Sequence, residues 1–177
     1  YNILMRQTYF ITSTVNKWIY LFHRPPLAEI ILEALAHRIS EGDINLRAYV
    51  IMPNHLHMIL TLRDGLALSD LLRDFHKFTA KQVIETLGNW NAPLLEKFAT
   101  NSRDRKRLIW RKTHSPKLVV SWDFFSQKLE YIHNNPVVKK WRLCERPELY
   151  PFSSAGDYLT GRSGPLPIVI VTPWAKA

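Results

Sequence analysis

The strongest constraint on the fold is a pair of apolar runs, residues 46–52 and 55–62, separated by Pro53-Asn54. Both runs have the composition of β-strands. Because a Pro-Asn dipeptide favours a turn, the two runs predict a β-hairpin. The strong apolar bias of the second run predicts a central position in a sheet.

Further segments surround this hairpin. Residues 9–15 mix aromatic, β-branched and hydroxyl side chains and predict another strand. Helical spacing of apolar residues predicts helices over 27–39, 69–87 and about 123–135, and residues 168–171 fit a short strand or a docking arm. This order predicts an α+β fold whose antiparallel sheet has helices packed on one face.

Composition limits the class of protein. The chain has 177 residues, 46% of them hydrophobic and 22% charged, which fits one folded domain and excludes a mainly disordered or collagen-like chain. Cys144 is the only cysteine, which excludes an internal disulfide framework and a four-thiolate zinc site. No apolar run is long enough to cross a bilayer and no signal-peptide pattern is seen, so we expect a cytoplasmic protein without a membrane partner.

The charge balance points to a class of partner. With 24 Lys and Arg against 15 Asp and Glu, the formal net charge is +9. A basic excess of this kind favours polyanions, nucleic acid above all, although many small basic proteins bind nothing special.

Two histidines, His55 and His57, lie two residues apart in the second hairpin strand. Side chains at i and i+2 of a strand point to the same face, so the two imidazoles should project together. Two neutral imidazoles can coordinate one divalent metal ion together. On its own the pattern fits a pair of surface histidines equally well.

The third predicted helix carries Tyr131 and Asn135, which lie one above the other at i and i+4. If this helix crosses the sheet face that bears His55 and His57, Asn135 can offer its amide oxygen as a third metal ligand, with Tyr131 close by. The alternative is a half-buried structural tyrosine and an asparagine that caps the helix before Pro136.

Together these groups indicate phosphodiester chemistry. Two imidazoles and one amide oxygen leave room at Mg²⁺ or Mn²⁺ for water and a phosphate oxygen. A tyrosine hydroxyl can then attack phosphorus and form a covalent phosphotyrosine. Since a free tyrosine has a pKa of ~10, it needs help to lose its proton; solvent at the metal and His133 are the two candidates.

Several segments of the sequence resemble motifs of a known family of enzymes. The run from Tyr49 to Leu60, YVIMPNHLHMIL, resembles the His-hydrophobic-His motif of the HUH single-strand DNA transposases and relaxases. The run LEYIHNNPV, which contains Tyr131, resembles the tyrosine motif of the Y1 transposases of the IS200/IS605 type. Its Asn-Pro ending, the later Pro-Phe-Ser-Ser run that ends at Ser154 and the run LLRDFHKFT from Leu71 are similar to the REP-associated tyrosine transposases.

The resemblance covers residues 9–158 and implies a ferredoxin-like (RRM-like) HUH domain over 1–160, followed by a C-terminal tail, 161–177. It implies that His55, His57 and Asn135 are metal ligands, with Asn135 where the insertion-sequence enzymes usually have Gln. It implies that Tyr131 is the nucleophile of a transposase or DNA nickase that leaves a 5′-phosphotyrosine and a free 3′-OH. The implied substrate is single-stranded DNA folded into palindromic REP-like hairpins, and the implied state is a monomer, with a homodimer as the alternative.

Cations around the tyrosine helix are the predicted DNA contacts. They are Arg103, Arg105, Lys106, Arg107, Arg111 and Lys112 before the helix, and Lys139 and Lys140 after it. Trp110 lies among the first group and is predicted to stack on an unpaired base; the alternative is a core tryptophan in a solvated basic loop. Lys77 and Lys81 are a further candidate that a solvated helix face explains as well.

Three functions therefore remain open from the sequence. The leading hypothesis is a metal-dependent single-strand DNA nickase and strand-transferase. The second is a non-catalytic nucleic-acid-binding domain that retains the HUH fold. The third is a metal-dependent nuclease that uses activated water, with Tyr131 structural.

Overall fold

A computed structural model describes residues 7–102, 106–112 and 116–171. The strands in these ranges are β1 (Thr8–Thr14), β2 (Ile44–Met52), β3 (His55–Leu62) and β4 (Lys117–Leu118). The helices are α1 (Pro25–Ser40), α2 (Leu68–Trp90), α3 (Ala92–Glu96), α4 (Trp122–Asn134) and α5 (Ala155–Thr160). Short 3₁₀ turns cover Asn16–Trp18, Asn135–Val137 and Pro147–Leu149. None of the helices in the described ranges combines the length and the hydropathy that a membrane span needs.

The strands form one antiparallel sheet in the order β2-β3-β1-β4. The predicted hairpin is confirmed, with Met52 opposite His55 across the Pro-Asn turn, and β3 has the predicted bounds. Strand β4 was not predicted, because two paired residues leave no periodicity in the sequence.

Helices cover both faces of this sheet. Helices α1 and α2 pack on the face that carries Leu56 and Met58, whereas α4 packs on the opposite face against Val50 and Ile59. The predicted α+β class and antiparallel sheet are confirmed, but the prediction that helices lie on one face is wrong for α4. The physical reason is that β2 and β3 are apolar on both of their faces, and each face has to be shielded from water.

The chain after α4 returns to the open edge of β2. The Ile51 N–H donates to the Phe152 carbonyl at 2.9 Å, and the Ser154 N–H donates to the Tyr49 carbonyl at 3.0 Å. Further on, Val169 donates to the Leu46 carbonyl at 2.9 Å. The segment 168–171 is therefore a docking arm rather than a strand.

The buried Ser154 hydroxyl ties α4 to the sheet. It accepts a hydrogen bond from the Tyr49 N–H at 3.0 Å, is hydrogen-bonded to His133 Nε2 at 3.0 Å, and lies 3.3 Å from the Tyr49 carbonyl oxygen. Ser154→Ala removes the hydrogen-bond partner of two buried groups, the Tyr49 N–H and His133 Nε2, so we expect the free energy of unfolding to fall by about 1–3 kcal/mol. Denaturant titration measures this, with the exposed Ser163→Ala as the control. Equal stability of the two variants would contradict the anchoring role.

Candidate active site

The two histidines of β3 project together, as the strand period predicts. Their ring centroids are 4.6 Å apart, and both side chains are buried on the face that α4 covers. Three residues of β3 point to this face: His55, His57 and the apolar Ile59. His55 is nearest to the hairpin turn, so the buried surface becomes polar toward the turn.

Hydrogen bonds fix the orientation of both rings. His55 Nδ1 lies 2.7 Å from Asn54 Oδ1, and His57 Nδ1 lies 2.8 Å from the Thr12 hydroxyl of the neighbouring strand β1. The Asn54 amide nitrogen donates to the Trp18 carbonyl at 3.2 Å, which sets the amide so that its oxygen accepts from His55. His55 therefore carries its proton on Nδ1, and Nε2 keeps its lone pair.

Burial keeps both imidazoles neutral. It lowers the pKa of His55 to about 4, with the charge of Lys140 as a second cause. Burial also lowers the pKa of His57 to about 3, with His55 and Lys128 as further causes. At neutral pH both rings are in the form that binds metals.

Helix α4 brings Tyr131 to this pair. The helix begins after Ser121, whose side chain accepts a hydrogen bond from the Phe124 N–H, and Phe125 and Ile132 bury its apolar side against the sheet. Tyr131 follows this buried stripe, is 48% exposed, and has its ring centroid 5.0 Å from that of His57. The phenol is thus both accessible and adjacent to the histidines.

Asn135 lies just beyond the end of the helix, where Pro136 interrupts the α-helical hydrogen bonds and the chain tightens into a 3₁₀ turn. Its side chain is buried. Asn135, Tyr131, His55 and His57 line one cleft of about 520 Å³. The predicted juxtaposition of these four residues is confirmed; their chemical roles stay predictions.

The donor set of this cleft fits a divalent cation. His57 Nε2 is buried without a hydrogen-bond partner, although polar atoms in such surroundings are normally paired. Among the residues that the structure describes, no three His, Cys, Asp or Glu side chains gather closely enough to hold a metal. A cation in this cleft would therefore combine the two imidazoles with the Asn135 amide oxygen and ligands from solvent or substrate.

His133 does not serve Tyr131 as a base. Positions i and i+2 point to different sides of a helix, and His133 is buried with Nε2 bonded to the Ser154 hydroxyl at 3.0 Å. Its ring lies 5.1 Å from that of Tyr158, away from the cleft. Of the two candidates for helping Tyr131 to lose its proton, this one is excluded.

Lys128 is a neighbour of Tyr131 that the sequence analysis missed. Its ammonium group lies 5.7 Å from the centroid of the Tyr131 ring and 5.3 Å from that of Phe10. The i, i+3 spacing on one helix was the available signal. This arrangement places a positive charge beside the phenol.

The predicted DNA contacts divide into three groups. Arg103 and Arg105 lie outside the described residues, whereas Lys106, Lys112, Lys139 and Lys140 are exposed and Arg107 and Arg111 half-buried. The stacking role predicted for Trp110 is wrong: its indole is 4% exposed, and its N–H donates to the Thr79 hydroxyl at 2.9 Å. Trp110 packs between β1 and α2 because the apolar ring completes the core there.

A basic groove of about 900 Å³ lies between α2 and the segment that contains Trp110. Helix α2 contributes the cations Arg73, Lys77 and Lys81, which are spaced by one helical turn. The opposite wall contributes Arg107, Arg111 and Lys112. Lys77 and Lys81 thus face the same groove as Arg107, Arg111 and Lys112, whereas Arg73 was not among the predicted contacts.

Comparison with known proteins supports the fold. The chain is similar to a solved REP-associated tyrosine transposase bound to a REP hairpin, with a TM-score of 0.59 and 22% identity over 96% of this chain and 89% of that one. A candidate transposase from Deinococcus radiodurans R1 aligns with a TM-score of 0.47 and 17% identity over 72% of this chain and 88% of that one. No protein-family model and no curated protein matches the sequence. The first likeness shows that this chain has the fold of the REP-associated transposase.

The Asn54 side chain should decide the tautomer of His55. In the wild type we expect the His55 proton on Nδ1, because Asn54 Oδ1 can only accept it. In Asn54→Ala this acceptor is lost and a mixture of tautomers should appear. Long-range ¹⁵N–¹H NMR spectra of the imidazoles distinguish the two cases. The exposed Asn45→Ala is the control, and an unchanged His55 spectrum in Asn54→Ala would contradict the assignment.

Proposed function

We propose that this chain is a REP-associated tyrosine transposase that cleaves and rejoins single-stranded DNA beside a hairpin. The observation that carries the proposal is the meeting of Tyr131 with His55, His57 and Asn135 in one cleft. The likeness of the fold to a REP-associated transposase supports it.

His55, His57 and Asn135 would hold Mg²⁺ or Mn²⁺, which, when bound, polarises the scissile phosphodiester and stabilises the negative charge on its oxygens. Nδ1 of His55 is hydrogen-bonded to Asn54 and Nδ1 of His57 to Thr12, so Nε2 of each ring would be the nitrogen that binds the metal. Such outer hydrogen bonds fix the orientation of metal ligands.

Tyr131 is the proposed nucleophile. Its hydroxyl oxygen attacks phosphorus, the bond from phosphorus to the 3′ oxygen breaks, and the phenol proton ends on the departing 3′-OH. The products are a 5′-phosphotyrosine and a free 3′-OH. Attack by a 3′-OH on the phosphotyrosine reverses the step, restores the phenol and joins the strands. Lys128, beside the ring, offsets negative charge on the phenolate or the phosphate.

The proposed substrate is DNA that folds into a hairpin. The solved structural neighbour is bound to a REP hairpin. In this chain the basic groove offers Lys77, Arg111 and Lys112 for the phosphates of a duplex stem, while its other three cations also form ion pairs with carboxylates. Lys140 lines the cleft itself. Because one chain supplies all four residues of the site, we propose that the protein acts as a monomer.

Tyr131→Phe separates the three functions that the sequence left open. With labelled hairpin DNA and Mn²⁺, the wild type should form a protein–DNA adduct that survives denaturing electrophoresis. The variant should form none, because it lacks the attacking oxygen, while its hairpin affinity stays unchanged. Tyr9→Phe, a change on β1 away from the cleft, should keep the adduct.

Two other outcomes would contradict the proposal and support one of the alternative functions. Strand cleavage that persists in Tyr131→Phe would show that activated water is the nucleophile. Hairpin binding by the wild type without cleavage or adduct would show a non-catalytic binding domain.

The amide of Asn135 should contribute directly to cation binding. Asn135→Ala removes one ligand oxygen, so we expect the Mn²⁺ affinity to fall roughly 10-fold or more. Mutation of a residue that only hydrogen-bonds to a metal ligand already lowers metal affinity by about that factor. Calorimetric titration with Mn²⁺ alone measures it, far-UV circular dichroism checks the fold, and Asn45→Ala is the matched control. Equal affinities would remove Asn135 from the ligand set.

A further inference from the structure

Two tryptophans line the cleft and a tyrosine packs against one of them, and the proposed chemistry uses none of the three. Trp18 and Trp141 line the same cleft as Tyr131. Trp18 is 52% exposed, and Tyr20, whose ring lies 5.5 Å from that of Trp141, is 54% exposed. Large aromatic rings grouped at the mouth of a cleft form the kind of exposed apolar surface that marks a binding site.

The backbone holds Trp18 at this position against its conformational preference. Lys17 and Trp18 both have φ 56°, in the left-handed region that bulky residues rarely adopt. The Asn54 amide donates to the Trp18 carbonyl at 3.2 Å, and the Lys17 ammonium donates to the Lys97 carbonyl at 2.8 Å. Strained backbone held by surrounding contacts is typical of ligand-binding sites.

Positive charges accompany these rings. The Arg111 guanidinium lies 5.1 Å from the centroid of the Trp18 ring, and the Lys140 ammonium lies 5.2 Å from that of Trp141. Trp18 is exposed and Trp141 is half-buried. Proteins that bind single-stranded nucleic acid combine aromatic rings, on which bases stack, with cations that contact the phosphates.

We propose that Trp18 and Trp141 form a stacking platform for the unpaired bases of the DNA strand that enters the cleft, an inference that rests on the proposed function. Asn54 connects this platform to the site, since the same carboxamide bonds the Trp18 carbonyl and His55 Nδ1. A base stacked on Trp18 is therefore held in a fixed relation to the histidine pair and Tyr131. The platform thus decides which phosphate of the unpaired strand reaches the phenol.

The test compares a strand that has bases with one that has none. Fluorescence anisotropy measures binding of a labelled oligothymidylate and of an abasic strand of equal length, in EDTA so that no cleavage occurs. Trp18→Ala should weaken oligothymidylate binding by roughly 5- to 150-fold, the range for loss of one stacked base. Its affinity for the abasic strand should not change, and Trp18→Phe should recover most of the loss.

Two further variants make the test specific. Trp90→Ala removes a ring of equal exposure, 53%, at the end of α2 and outside the cleft, and it should bind both strands like the wild type. Trp141→Ala repeats the test on the second ring, which keeps the proposal falsifiable if Trp18→Ala does not fold.

The result that overturns the platform is an equal effect on both strands, or no effect on either, in Trp18→Ala and Trp141→Ala. This failure is distinguishable from failure of the proposed function. If the base-dependent loss appears while the wild type forms no Tyr131 adduct, the platform stands and the cleavage function falls. If the adduct forms without a base-dependent loss, the platform alone falls.

Discussion

Burial of the central strand on both faces is the constraint on which the rest of the structure depends. Strand β3 is apolar toward α1 and α2 and also toward α4, so helices have to cover both sides of the sheet. On the α4 side the apolar residues give way to His57 and His55 near the turn. The helix that shields Ile59 therefore also delivers Tyr131 to the histidine pair.

The Asn54 side chain connects two otherwise separate parts of the cleft. Its oxygen accepts from His55 and its nitrogen donates to the Trp18 carbonyl, so one buried amide orients an imidazole and holds a strained turn. Because both hydrogen bonds are satisfied only with the amide in one orientation, the His55 tautomer and the Trp18 position are coupled. Asn54, a residue of the hairpin turn, therefore orients both His55 and Trp18.

Arg111 links the basic groove to the cleft. It lines the groove beside α2 and also lies over the Trp18 ring at the cleft mouth. In the proposed function, a duplex stem in the groove would continue past Arg111 as an unpaired strand over Trp18 toward Tyr131. In this proposal, charge would supply affinity along the groove, whereas the aromatic rings and the phenol would position the strand at the cleft.

The sequence by itself determined the features that follow from local periodicity. The alternation of a strand places His55 beside His57, helical spacing places Tyr131 one turn before Asn135, and both relations are present in the structure. Only the tertiary structure decided that α4 covers the second face of the sheet, that Trp110 is a core residue and that His133 points away to Ser154. Periodicity gives the direction of a side chain relative to its own element, but the neighbour that it meets depends on how distant elements pack.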